Sequence, residues 1–149
     1  MKKKIIVGLL ILVIVVGSGI TALFLINSNS ELPRHSSLAD ITFEEGVVNI
    51  YYFWGDGCRF CAQQFEFLTE INEEIGEKFN LYSFEVWHDE DNVELVHEIA
   101  GMMHTTFEGV PFTVIGNQAI TGFSPDEILA AINSAHEEAF DIMRIFLRQ

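Results

Sequence analysis

The sequence predicts an α/β domain of order βαβαββα, built on a mixed four-stranded sheet and preceded by one apolar span. Three observations carry this. Short β-branched and aromatic runs alternate with stretches of helical periodicity, the pattern of strands joined by helical crossovers. The last two strand runs are separated only by Gly116 and Asn117, a hairpin turn. At the other end, Ile5 to Ile26 is a run of 22 residues without a charge.

Taken in order, Lys2, Lys3 and Lys4 make residues 1–4 a basic, cytoplasmic tip. The run 5–26 is long enough to cross a hydrocarbon core of about 30 Å at about 1.5 Å per residue. Bases before it and acids after it place the N-terminus inside and the following chain outside. A cleaved signal peptide is the competing reading. Gly17-Ser18-Gly19 and Ala22 offer a cut, but Leu23-Phe24-Leu25-Ile26 continues the apolar run. The expected location is therefore the cell membrane, single-pass, with the domain extracytoplasmic, or secretion if the segment is removed. Both permit disulfide chemistry. Residues 27–42 are polar, contain Pro33, and read as a tether. The domain is expected over 43–149.

All 22 acidic residues lie from Glu31 onward, against Arg34, Arg59, Lys78, Arg144 and Arg148, a net charge of −17. Such a surface repels nucleic acid and anionic lipid, so no nucleic-acid partner is expected. The acidity itself reads as solubility.

Val47 to Phe53 is a β-branched and aromatic run that includes Asn49, and it reads as a strand buried on both faces. Phe65, Leu68, Ile71 and Ile75 then recur at helical spacing with glutamates opposite, an amphipathic helix that Gly76 weakens at its end. Leu81 to Trp87 reads as the second strand, with Trp87 in the core. Asp89 to Asn92 can cap a second helix carrying Val93, Val96, Ile99 and Met103, and the Met102-Met103 pair reads as its core. Phe112 to Ile115 and Gln118 to Thr121 are the hairpin strands. Ser124, Pro125 and Glu127 are a capping box with proline at the first helical position. Ile128, Leu129, Ile132, Ala135 and Ala139 form the inner face of that helix. The apolar tail from Phe140 to Leu147 extends it or packs back. The first two strands, joined through a helix, are expected to be parallel.

The two cysteines of the chain, Cys58 and Cys61, sit between the first strand and first helix, behind Gly55 and Gly57. Backbone N–H groups and the positive helix end stabilise a thiolate there. Arg59 adds a fixed charge, so Cys58 is expected to titrate below the free value of about 8.5 and to act as nucleophile. Cys61, one turn in, resolves the mixed disulfide. A structural staple closing so short a loop stabilises little. A zinc site would need two further ligands, and neither a second CxxC nor closely paired histidines supply them. No metal and no cofactor is expected, and none of the five histidines is given a catalytic role.

The element order, the Phe53-Trp54-x-x-x-Cys58-x-x-Cys61 signature and the Val110-Pro111 pair before the third strand resemble the thioredoxin-like superfamily over about residues 43–139. The resemblance implies a thiol–disulfide oxidoreductase. It implies a redox-active Cys58–Cys61 disulfide, a cis Pro111 against it, and Val110 pairing its backbone with the substrate chain. Trp54 is placed to line a substrate groove, or to pack partly in the core. Phe107 and Phe112 are placed to form an apolar rim. The partners implied are extracytoplasmic proteins with disulfides or thiols and a redox partner that resets the pair. Arg59-Phe60 is not the dipeptide of thioredoxins, glutaredoxins or oxidases, and Tyr52 stands where thioredoxins bury an aspartate. Glu85 on the neighbouring strand reads as solvated rather than as a proton acceptor. Tethered proteins of this shape are similar to bacteriocin transport accessory thioredoxins. The alternative class is a non-catalytic accessory subunit of a secretion or bacteriocin-export system.

Overall fold

The computed structural model describes residues 32–75 and 78–149. The apolar run Ile5–Ile26, expected to span the membrane, and the helix end at Gly76 lie outside the described residues. Among the described residues no helix is long and apolar enough to cross a membrane.

The elements are β1 (Val48–Trp54), α1 (Arg59–Ile75), β2 (Phe79–Glu85), α2 (Glu90–Met102), β3 (Phe112–Ile115), β4 (Gln118–Thr121), α3 (Pro125–Glu138) and the short α4 (Met143–Phe146). The sheet order is β2-β1-β3-β4. β1 pairs with β2 in parallel and with β3 antiparallel, and β3–β4 is the hairpin. This is the mixed four-stranded sheet the alternating runs predict.

β1 lies inside the sheet, between β2 and β3, and buries residues on both faces. Val48, Ile50 and Tyr52 point into a core closed by α1 and α3, with Leu68, Ile71, Ile128 and Ile132. Tyr51 and Phe53 point into a second core closed by α2 and α4, with Val96, Ile99 and Met143. There Phe53 stacks on Phe84 at 5.2 Å between ring centroids. The strand carrying the motif is thus clamped between two layers of helix.

Several local expectations change. β2 stops at Glu85, two residues before Trp87, which is 55% exposed rather than core. Ser124 precedes α3, but its side chain makes no capping bond, so the capping box is not formed and Pro125 alone opens the helix. Asp89 does cap α2, accepting from the Asn92 N–H. α3 ends at Ala139 in a left-handed turn, which leaves Ala139 exposed rather than on the inner face and sends the tail back over the sheet. There Ile142 and Met143 are buried. The Asp141 carboxylate accepts from the Tyr51 hydroxyl at 2.8 Å and from the Asn49 amide at 2.9 Å. Burial, and then the Asp141 charge, pushes the Tyr51 hydroxyl far above the ordinary phenol range, so it stays a donor.

The described part of the stretch read as a tether, Leu32 to Thr42, is hydrogen-bonded to β2. The Ser36 N–H donates to the Ser83 carbonyl at 2.8 Å, the Ser83 N–H donates to Ser36 Oγ, and the Thr42 N–H donates to the Tyr82 hydroxyl. This segment covers the outer edge of β2, an edge that would otherwise present unpaired backbone groups.

Candidate active site

Gly55-Asp56-Gly57 turns the chain between β1 and α1. Gly57 has φ +79°, which only glycine adopts without strain. At Gly55 a side-chain carbon would run into the Trp87 indole, so glycine there permits the exposed ring to lie against the turn. The Ala62 N–H donates to the Cys58 carbonyl at 3.1 Å, so Cys58 stands directly before the first turn of α1.

Cys58 and Cys61 form a disulfide with Cα atoms 5.2 Å apart. The two sulfurs are not equivalent. Cys61 is 2% exposed, whereas Cys58 is only partly buried. The Cys61 N–H donates to Cys58 Sγ at 3.1 Å. The Val110 carbonyl oxygen lies 4.0 Å from Cys58 Sγ, across the disulfide from α1. The Val110–Pro111 peptide is cis, and the Pro111 carbonyl is held by the Gly122 N–H at 2.8 Å. The residues singled out from the motif therefore meet in one place: Cys58, Cys61, Val110, Pro111, and Trp54 and Arg59 on the other side.

That other side is a cavity of about 240 Å³ bordered by Arg34, Tyr52, Trp54, Cys58, Arg59 and Phe65, among others. Trp54 is half-buried, with the His35 ring 5.3 Å from its own. Arg59 borders the cavity and is exposed, and Phe60 is 60% exposed.

Two expectations about the surroundings are overturned. Phe112 is fully buried in the α2–α4 core, and Phe107 packs edge-on against it at 5.6 Å, so the two do not form a rim. β3 simply turns Phe112 inward. Glu85 is not solvated: it is 7% exposed. Its carboxylate accepts from the backbone N–H groups of Asp56 (3.2 Å), Trp87 (2.9 Å) and His88 (2.8 Å). Burial pulls its pKa up, but the hydrogen bonds from His88, Trp87 and Asp56 outweigh this and hold it below the usual carboxylate value. Glu85 therefore stays charged and ties the turn before Cys58 to the turn after β2.

Beneath the disulfide the sequence offers no carboxylate, and the structure shows what stands there. The Tyr52 hydroxyl, fully donor because burial raises its pKa, donates to the Cys61 carbonyl at 2.7 Å. Thr113, paired with Tyr52 across β1–β3, accepts from the Gln64 amide at 2.6 Å. Gln64 is wholly buried one turn after Cys61. No periodicity marks it, because a glutamine on the inner face of α1 reads as an interruption of the apolar stripe.

The strand order, the helices on both faces and the CxxC disulfide at the end of the central strand make up a thioredoxin-like fold. The chain is similar to several solved structures. A thioredoxin-like protein from Clostridium perfringens is 28% identical, covering 61% of this chain and 72% of its own, with a TM-score of 0.47. Thioredoxin from Malassezia sympodialis is 20% identical over 63% of this chain and 79% of its own, TM-score 0.48. A glutaredoxin from Archaeoglobus fulgidus is 21% identical over 58% and 88%, TM-score 0.39. No protein-family model and no curated protein matches the chain.

Proposed function

We propose that the chain is a thiol–disulfide oxidoreductase acting on protein disulfides or thiols outside the cytoplasm, held at the membrane by Ile5–Ile26. The observation that carries the chemistry is the asymmetry of the pair: a partly buried Cys58 whose sulfur receives a backbone N–H, backed by a buried Cys61. In the reducing direction the Cys58 thiolate attacks a substrate disulfide and one substrate sulfur leaves as thiolate. Cys61 then attacks Cys58 Sγ, the protein disulfide forms, and the second substrate sulfur leaves. The substrate gains two electrons and the Cys58–Cys61 pair loses them. The same steps reversed hand the disulfide to a dithiol substrate. The Val110 backbone, beside Cys58, docks the substrate chain, and Arg59 with the α1 terminus stabilises the thiolate. A separate extracytoplasmic redox partner resets the pair.

The test is single-cysteine replacement in a thiol-exchange assay with a protein disulfide. Cys58→Ala abolishes exchange, and Cys61→Ala accumulates a mixed disulfide on Cys58. Alkylation of the reduced protein across pH gives Cys58 a pKa below about 8.5. Wild-type activity in both single variants overturns the mechanism. A cellular phenotype that survives loss of both cysteines supports a non-catalytic accessory role instead.

A further inference from the structure

The cavity beside the disulfide does not include Val110 or Pro111 in its lining, so it is separate from the edge where a substrate backbone would dock. Part of its wall comes from the segment before β1. Ser83 Oγ donates to the Arg34 carbonyl at 3.1 Å, which fixes that segment on β2, and the Arg34 guanidinium lies 4.2 Å over the Phe65 ring. Arg59 borders the cavity from α1. Two of the five bases that follow residue 30 thus converge on one small space in a region of net charge −17. Neither takes part in an ion pair among the described residues. The Trp54 indole N–H is buried and has no acceptor among the described residues. The acidic residue of the lining, Asp56, is exposed, and its backbone is committed to Glu85.

Unpaired donors and two cations beside a reactive sulfur suit an anion whose geometry matches a guanidinium fork. We propose that this cavity is a subsite for a carboxylate carried close to the reacting sulfur of the substrate. The proposal rests on the dithiol reading above. The carboxylate belongs to an acidic residue flanking a peptide cysteine or to a small carboxylated thiol. In either case the substrate thiolate attacks Cys58 Sγ and the Cys58–Cys61 bond breaks. Cys61 leaves as a thiolate that takes a proton from solvent. The substrate sulfur is oxidised to the disulfide level and Cys61 is reduced.

The test is thiolysis of the oxidised full chain by 3-mercaptopropionate, 2-mercaptoethanol and cysteamine, each rate divided by that thiol's rate with a small reference disulfide. Capped tripeptides with Glu or Lys beside Cys form the second arm. The carboxylated probe exceeds its cationic counterpart by about two- to fivefold, the range of an exposed ion pair. The acidic surface alone predicts the opposite sign. Arg34→Gln removes the preference, Arg34→Lys retains part of it, and Arg144→Gln, an equal change of charge elsewhere, leaves it in place. A preference in both arms assigns the subsite to free carboxylated thiols as well as peptides, and one in the peptide arm alone assigns it to peptides. A ratio at or below one in the wild type, or one unchanged by Arg34→Gln, overturns the subsite alone. If 2-mercaptoethanol reacts no faster than with the reference disulfide, the dithiol reading falls and the subsite with it.

Discussion

Replacing Glu85 by glutamine removes one acceptor oxygen from a buried clamp. In the wild type one carboxylate oxygen receives the Asp56 and Trp87 N–H groups and the other receives His88 at 2.8 Å. Glutamine keeps one oxygen and turns an NH2 group toward the remaining donor. Loss of one charge-assisted bond with a donor left facing a donor costs about 2 kcal/mol, or roughly 8 °C in Tm for a domain of this size. The pH dependence follows from the depressed pKa. A carboxyl whose folded pKa lies below its unfolded value contributes stability above the unfolded pKa, and that contribution is lost as pH falls through the folded one. The difference between wild type and Glu85→Gln is therefore full at pH 7 and shrinks as pH falls below the ordinary glutamate value of 4.5. Denaturant unfolding of the oxidised protein, followed by tryptophan fluorescence at pH 7 and pH 3, measures both. Equal stability of the two proteins at pH 7, or a difference that persists unchanged at pH 3, refutes the clamp.

Two further outcomes are expected. Arg59→Gln destabilises the Cys58 thiolate and with it the reduced form, so the potential of the pair becomes more negative by roughly 10–20 mV for about half a pKa unit; equilibration with a glutathione or dithiothreitol couple reads this, and a shift to more positive values contradicts the role of Arg59. Tyr52→Phe deletes the 2.7 Å bond to the Cys61 carbonyl and lowers stability by about 1 kcal/mol in urea unfolding, whereas an unchanged midpoint would show that the bond contributes nothing.

The strand and helix order was legible because β1, β2 and β3 are runs of strongly apolar residues and the helices between them carry regular stripes. The hairpin bounds Phe112–Ile115 and Gln118–Thr121 were readable from the Gly116-Asn117 turn alone. Glu85 and Trp87 were not. Their exposures depend on where β2 stops, and that point is set by backbone donors in two turns far apart in sequence, which no side-chain pattern records. The lone carboxylate that looked solvated is buried because N–H groups, not cations, neutralise it. Arg34 was hidden for a similar reason. A polar segment with proline reads as a tether, and its attachment to Ser83 joins one main-chain bond to two serine hydroxyl bonds, which no apolar pattern records. Ser124 shows the converse: a capping box fully spelled out in residue types, which the backbone does not use.

The bond from Asp141 to Tyr51 and Asn49 sets an order of events during synthesis. Those two β1 groups, buried beside the helix layer, lack their carboxylate partner until residue 141 has emerged. The strand that leads to Cys58 is made before the residue that completes its hydrogen bonds. A chain without Asp141 would carry both cysteines next to a strand whose buried Tyr51 hydroxyl has lost its acceptor, so the setting of the disulfide depends on a residue far from its motif.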